Sequence, residues 1–225
     1  METLSSWMAA WACLVLLLAP ARWSWAADSP ATSSPAPTST AVEHLDLTYI
    51  PAEAVSVIVA HPQAVLTGPN AEWIPVEVIT AQGMKEFGVG PLKIREAVVL
   101  FASPVQGTEP DVAGILRFSE AYSKAVVTSK FVGLEKAVEG KSVVVLPGPR
   151  ETWLYRPDDK TIVIGRAPLV AKMLAVKDAD SPLISLLKTV DVSSQVTAVF
   201  SVESVRPIMK RAVAAAPPVP PPFQG

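Results

Sequence analysis

Residues 132–165 read VGLEKAVEGKSVVVLPGPRETWLYRPDDKTIVIG, and this stretch decides the fold class. It holds four short runs suited to strands: Val132 to Ala137, Ser142 to Leu146, Thr152 to Arg156 and Thr161 to Gly165. Between them stand Glu139-Gly140, Pro147-Gly148 and Asp158-Asp159. Gly, Pro and Asp permit tight reversals: Gly lacks a Cβ, Pro presets φ, and Asp bonds its own backbone. Links this short join antiparallel neighbours, because parallel strands need a long crossover. The stretch reads as a β-meander.

Upstream, Val55, Val57 and Val59 alternate with Ser56, Ile58 and Ala60, a buried strand bounded by Pro51 and Pro62. Val76, Ile79, Gly83 and Phe87 then recur at i, i+3, i+7 and i+11, one stripe of a helix opened by Pro75 and stopped by Gly88. Ile94 to Ala102 and Val112 to Phe118 read as strands, and Glu120 to Ser129 as a helix. Downstream, Pro168 opens a helix with Leu169, Val170, Met173 and Leu174 on one face. Ser181 caps and Pro182 opens another, with Leu183, Leu186, Leu187 and Val190 as its stripe. Val196 to Val202 reads as a strand and Pro207 to Val213 as a last helix. A meander with helices between blocks of strands predicts an α+β fold, with a mainly antiparallel sheet and its helices packed on one face.

The prolines suggest an internal duplication. Pro51, Pro62 and Pro75 fall before a strand, after it and at a helix start. Pro157, Pro168 and Pro182 repeat the pattern at offsets of 106, 106 and 107, which predicts a β-α-α-β unit used twice. The two units would share one sheet, with Val57 and Val163 in matching places.

The ends of the chain are different in kind. Met8 to Ala19 is 12 apolar residues, too short to span a bilayer and right for a signal-peptide core. Ser24-Trp25-Ala26 puts small residues at the cleavage site, so residues 1–26 read as a leader. Glu2, with no Lys or Arg before the core, is off pattern, and the alternative is an uncleaved anchor. Residues 27–42, rich in Pro, Ser and Thr, read as a solvated linker ahead of an α+β domain over 43–213. The tail, 214–225, carries Pro217-Pro218-Val219-Pro220-Pro221-Pro222 and reads as polyproline II. The compartment implied is outside the cytoplasm, periplasmic or extracellular.

Half of the 225 residues are hydrophobic and 18% are charged, which argues against a disordered chain. From Asp28 to Val112 three Lys and Arg face ten acids; from Ala113 to Gly225 fifteen face ten. The plain reading of net −7 against net +5 is attraction between the halves of one domain. The basic residues are scattered, so nucleic acid is not an expected partner.

The search for chemistry is mostly negative. Cys13, the only cysteine, lies in the leader. His44 sits in Glu43-His44-Leu45-Asp46 at the linker junction, without a second histidine nearby to make a metal site. His61 precedes Pro62 and reads as a polar strand end. No nucleophile elbow, His-Glu-x-x-His or phosphate loop occurs, and Gly88-Val89-Gly90-Pro91 follows a helix rather than a strand. Asp158 and Asp159 are adjacent and fit a turn better than a paired-acid site. No cofactor and no metal are expected, and no catalytic residue is assigned. The candidate ligand-binding residues are Trp153 and Tyr155, which alternation puts on one strand face beside Glu151. Aromatics on a strand face can stack on sugars or grip a peptide; the plainer reading is that this face is core.

Residues 51–62, Leu116-Arg117-Phe118-Ser119, and 155–165 together resemble an uncharacterised family of exported bacterial proteins. The resemblance implies export and offers no catalytic residue. The function expected is a non-catalytic binding or scaffolding domain at the cell envelope, with a protein or polysaccharide partner and membrane contact only through an uncleaved leader. The alternative is a carboxylate-based hydrolase.

The leader reading predicts an exported form that begins at Ala27 on N-terminal sequencing. A start at Met1, with the protein in membranes, replaces the cleaved leader with an anchor.

Overall fold

The computed structural model describes residues 45–69, 71–103, 109–176 and 180–203, with Arg206 and Lys210. The leader, linker, His44 and tail lie outside the described residues. So does the helix expected over Pro207 to Val213, except Lys210, which is helical.

The strands are β1 (Ala54–Ala60), β2 (Ile94–Ala102), β3 (Val112–Phe118), β4 (Leu134–Val138), β5 (Lys141–Leu146), β6 (Thr152–Tyr155), β7 (Thr161–Arg166) and β8 (Val196–Phe200). The helices are α1 (Pro62–Thr67), α2 (Val76–Phe87), α3 (Lys124–Lys130), α4 (Ala167–Ala175) and α5 (Pro182–Leu187). All eight strands join one open sheet in the order β4-β5-β6-β7-β3-β2-β1-β8. Every neighbouring pair is antiparallel. This is the α+β architecture, and β4 to β7 form the meander. Glu139 and Gly140 turn it at φ 50° and 71°, the left-handed values that a two-residue hairpin needs.

The sheet buries both faces. Val57, Val59, Val98, Leu100, Ile115 and Val163 point to the first, where they pack on Leu169, Val170, Met173 and Leu174 of α4 and Leu183, Ile184 and Leu187 of α5. Ala97, Leu116, Ile162, Leu154 and Val144 point to the second, against Val127 of α3 and Phe87 at the end of α2. The helices are therefore divided between the faces rather than gathered on one. Period-two alternation explains why both sets are apolar: in Val-rich strands either parity can be buried.

Capping chemistry sets several helix ends. Ser181 Oγ accepts from Ile184 N at 3.2 Å, with Pro182 following as the first helical residue. Gly88 takes φ 69° after α2, and its N–H donates to Met84 O at 3.1 Å. Ser123 caps α3, so that helix starts at Lys124 rather than Glu120. α5 ends at Leu187; Leu186 is exposed and Ile184 takes the buried place expected of it.

The duplication does not hold. Both segments carry strand, helix, helix, strand, and Pro75 and Pro182 both stand at helix starts. But β1 and β2 are antiparallel neighbours, whereas β7 and β8 run parallel with three strands between them. α4 and α5 lie on the first face, while α2 reaches the second. The proline spacing marks repeated local jobs, ending a ladder and presetting φ, not a repeated unit.

Gly165 sits between Trp153 and Ala113 across the strands. A Cβ there would fall 2.4 Å from Ala113 Cβ and 2.7 Å from Val112 O. These are strand atoms that cannot rotate away. Gly165→Ala is expected to destabilise the domain by about 1–3 kcal/mol, the usual cost of overpacking, read as a lower denaturant midpoint with an unchanged slope.

Candidate functional site

Three polar residues meet at one end of the first face. Glu96 in β2 pairs directly with Arg117 in β3. His61 follows β1, whose last residue, Ala60, pairs with Ala97. Alternation puts all three side chains on the face of Val59, Val98 and Ile115. The side chains of Glu96 and Arg117 are only 6% and 8% exposed.

Arg117 acts as a fork. Nη1 donates to Glu96 Oε1, and Nη2 donates to Asp46 Oδ2 at 3.0 Å and to Asp46 O at 3.2 Å. A planar guanidinium can serve two carboxylates at once, which a lysine ammonium does less well. The Asp46 carboxyl also accepts from Thr48 N at 3.0 Å. Partial burial pushes the Asp46 carboxyl up, but the Thr48 hydrogen bonds and then the Arg117 charge outweigh it and hold the group below its ordinary value.

His61 is buried as well. Its Nε2 lies 2.7 Å from Val192 O and its Nδ1 3.2 Å from Arg95 O. The ring thus clasps the loop before β8 to β2. With Pro62 it also starts α1, through the bond from Val65 N to His61 O at 3.0 Å. These titratable groups face one another or the backbone, an arrangement that builds structure.

Trp153 and Tyr155 do share the first face. Trp153 is 7% exposed and belongs to the core, opposite Val145 and Gly165. Its Nε1 donates to Glu151 Oε1 at 2.7 Å, and Lys136 Nζ lies 4.9 Å from the ring centroid. That hydrogen bond, with Lys136 at 3.6 Å, holds the Glu151 carboxyl below its ordinary value. Tyr155 is half-buried and meets Tyr49 edge-on at 6.2 Å. Lys141 Nζ stands 5.8 Å from the Tyr155 ring and donates to Leu174 O at 2.7 Å near the end of α4, where a cation suits the helix dipole. The two aromatics are roofed by lysines and by the 45–50 segment.

The second face is different. Near α3 an apolar hollow is lined by Phe87, Val89, Ile94, Leu116, Phe118, Phe131, Ile162 and Ile164. Beyond it the sheet is only partly covered. One row runs Ala198–Ile58–Val99–Gly114–Ile164 and the next Phe200–Ser56–Phe101. Ala198 and Phe200 are exposed, Phe200 by 63%, and the others are half-buried. No charged side chain stands in either row. This strip is the candidate interaction site.

Sequence reasoning did not find the Glu96–Arg117 pair, although the signal was present. Glu96 shares the parity of Val98 and Leu100, and Arg117 that of Ala113 and Ile115. A charge on the buried parity of a strand needs an opposite charge beside it. His61 stands directly after β1, at the strand end its reading gave it, and its ring is buried.

The chain matches no protein-family model, no curated protein and no solved structure in comparison with them. Among the described residues no group of three or more His, Cys, Asp or Glu is placed to hold a metal ion. No helix among them is long and apolar enough to cross a membrane.

Arg117→Met leaves Glu96 buried without its cation and is expected to cost about 3–5 kcal/mol. Adding Glu96→Leu removes the stranded charge and should recover most of the loss, measured by denaturant unfolding of both variants. Asp46 gives an acid limb. Its folded value is depressed, so its contribution is full above the unfolded value of about 4 and is lost as pH falls through the folded value. Asp46→Asn should flatten that limb and leave the neutral-to-alkaline profile unchanged in shape.

Proposed function

We propose that this chain is an exported protein whose domain binds or holds a partner at the cell envelope and carries out no reaction itself. The leader pattern supports export: a 12-residue apolar core, Pro20, and small residues at the cleavage site. The resemblance of residues 51–62 and 155–165 to exported bacterial proteins points the same way.

The observation that carries the binding reading is the strip around Phe200 and Ile58. An apolar sheet face left partly open to water is costly and marks an interaction surface more often than an accident. Phe200 alone exposes 63% of itself. The first-face acids support the same reading, because Glu96 and Asp46 are engaged by Arg117 and Thr48. A carboxylate that must take or give a proton to substrate needs a free side.

Of the two partner classes, protein is favoured over polysaccharide. The open rows offer apolar side chains and no polar fork for hydroxyl groups. Trp153, the ring best suited to stack on a sugar, is 7% exposed with Lys136 above it.

The test is cross-linking and affinity capture with the full chain in native envelope extracts. A retained protein partner, in constant ratio to the bait, is expected. No retained partner, together with release of soluble products from envelope polymers by the purified chain, would overturn the reading in favour of a carboxylate hydrolase.

A further inference from the structure

We infer that the open strip of the second face is a docking site for one amphipathic helix of a partner protein. This rests on the binding reading above and names the partner's chemistry.

The dimensions choose the occupant. The strip has one row across β8, β1, β2, β3 and β7 and a second row across β8, β1 and β2 only, with Phe200, Ala198, Ile58, Val99, Phe101 and Ile164 as its main apolar positions. With strands ~4.8 Å apart and same-face residues ~6.8 Å apart, the rows are roughly 24 Å and 14 Å long, on the order of 260 Å² in projection. A stable interface between two copies needs about 800 Å² from each, so the strip is too small for that. A helix is ~10 Å across and rises ~1.5 Å per residue, so about four turns cover the strip.

The chemistry agrees with the size. The first face is already covered by two helices, α4 over β7 and β3 and α5 over β1 and β8. The strip presents the same kind of surface as those rows, mostly branched and aromatic side chains without charge, but Ala198 and Phe200 are exposed. An uncharged strip pairs with an apolar helix face and penalises a charged one. A partner helix is therefore read by apolar residues at i, i+3, i+4 and i+7, with polar residues turned to water.

The strip's end at β8 sharpens the contrast. Its five residues, Val196–Phe200, include no charge, whereas the opposite edge, β4, carries Glu135 and Lys136. An uncharged edge also invites an added strand, so the experiment must separate a helix from a strand.

The test uses the full chain and two fluorescent 18-residue peptides of identical Leu, Lys and Glu content, with Lys and Glu in equal number. One has its Leu residues at helical spacing, the other in strict alternation. The expected result is saturable anisotropy with the helical peptide and at least about tenfold weaker binding of the alternating one. Phe200→Glu and Ala198→Lys, both at exposed positions, should each weaken the helical peptide by about tenfold or more. Leu134→Glu, 78% exposed on the far edge, should leave it unchanged. Unchanged melting of all three variants shows that the fold is kept.

Several outcomes overturn the inference. They are no saturable binding by the wild-type chain, equal loss in Leu134→Glu, and preference for the alternating peptide. Concentration-dependent dimerisation abolished by Phe200→Glu also overturns it, because a second copy would then be the occupant. A partner captured from the envelope that survives Phe200→Glu removes this face and leaves the binding reading intact.

Discussion

Two opposite charges with almost no water around them fix one end of this sheet. Arg117 and Glu96 face each other across β3 and β2 with side chains under a tenth exposed. A lone buried charge costs several kcal/mol, so neither residue tolerates a register in which the other is absent. A slip of one residue between β2 and β3 would send Glu96 to the second face and leave Arg117 on the first. The pair thus specifies the central pairing more sharply than its Val, Ile and Leu neighbours, which pack in several registers. Arg117 also reaches Asp46, 71 residues earlier, and draws the 45–50 segment over the first face. Leu45 and Ile50 are then buried in the core that α4 and α5 complete.

This pair explains how a chain of uneven charge makes one body. Acids of the first part meet bases of the second in named contacts: Glu96 and Asp46 with Arg117, Glu53 with Lys172, and Glu109 with Arg150. Only the Arg117–Glu96 pair is dry. In the others at least one partner is half exposed or more, where ion pairs contribute little, so they bias association more than they hold it.

Local chemistry was the legible part of the fold. Glu139-Gly140, Ser181-Pro182 and Gly88 act within a few residues of themselves, and each does in space what its sequence predicts. What stayed hidden depends on residues far apart in the chain. The strand order puts β8 beside β1, some 140 residues away, and no local pattern encodes that. The face of each helix was equally hidden, because β1 and β2 are apolar on both parities. The same limit applies to the site. Trp153 and Tyr155 were visible as large aromatics on one parity, but whether water reaches them depends on Lys136, Tyr49 and Gly165, which other elements supply. Glu96 and Arg117 could have been found by asking what charges do on a buried parity.

The topology accounts for the unequal faces. From β7 the chain returns to β8 across β3, β2 and β1, and it makes that crossing over one face only. α4 and α5 are the crossing, so the first face is covered from β6 to β8. The links on the other side are local. β1 passes to β2 through α1 and α2 and β3 passes to β4 through α3, and of these only α3 and the end of α2 reach the second-face cluster. Those two cover the rows through Ala97, Leu116 and Ile162 and stop there. The rows through Ile58 and Ser56 lie past their reach except at Ile164, which packs against that cluster. They are apolar nonetheless, because β1 and β2 are central strands and Val, Ile and Phe suit such strands on either face. An open strip of this kind follows from one long crossover over a sheet with two apolar sides, and covering it takes a helix that the described residues do not supply.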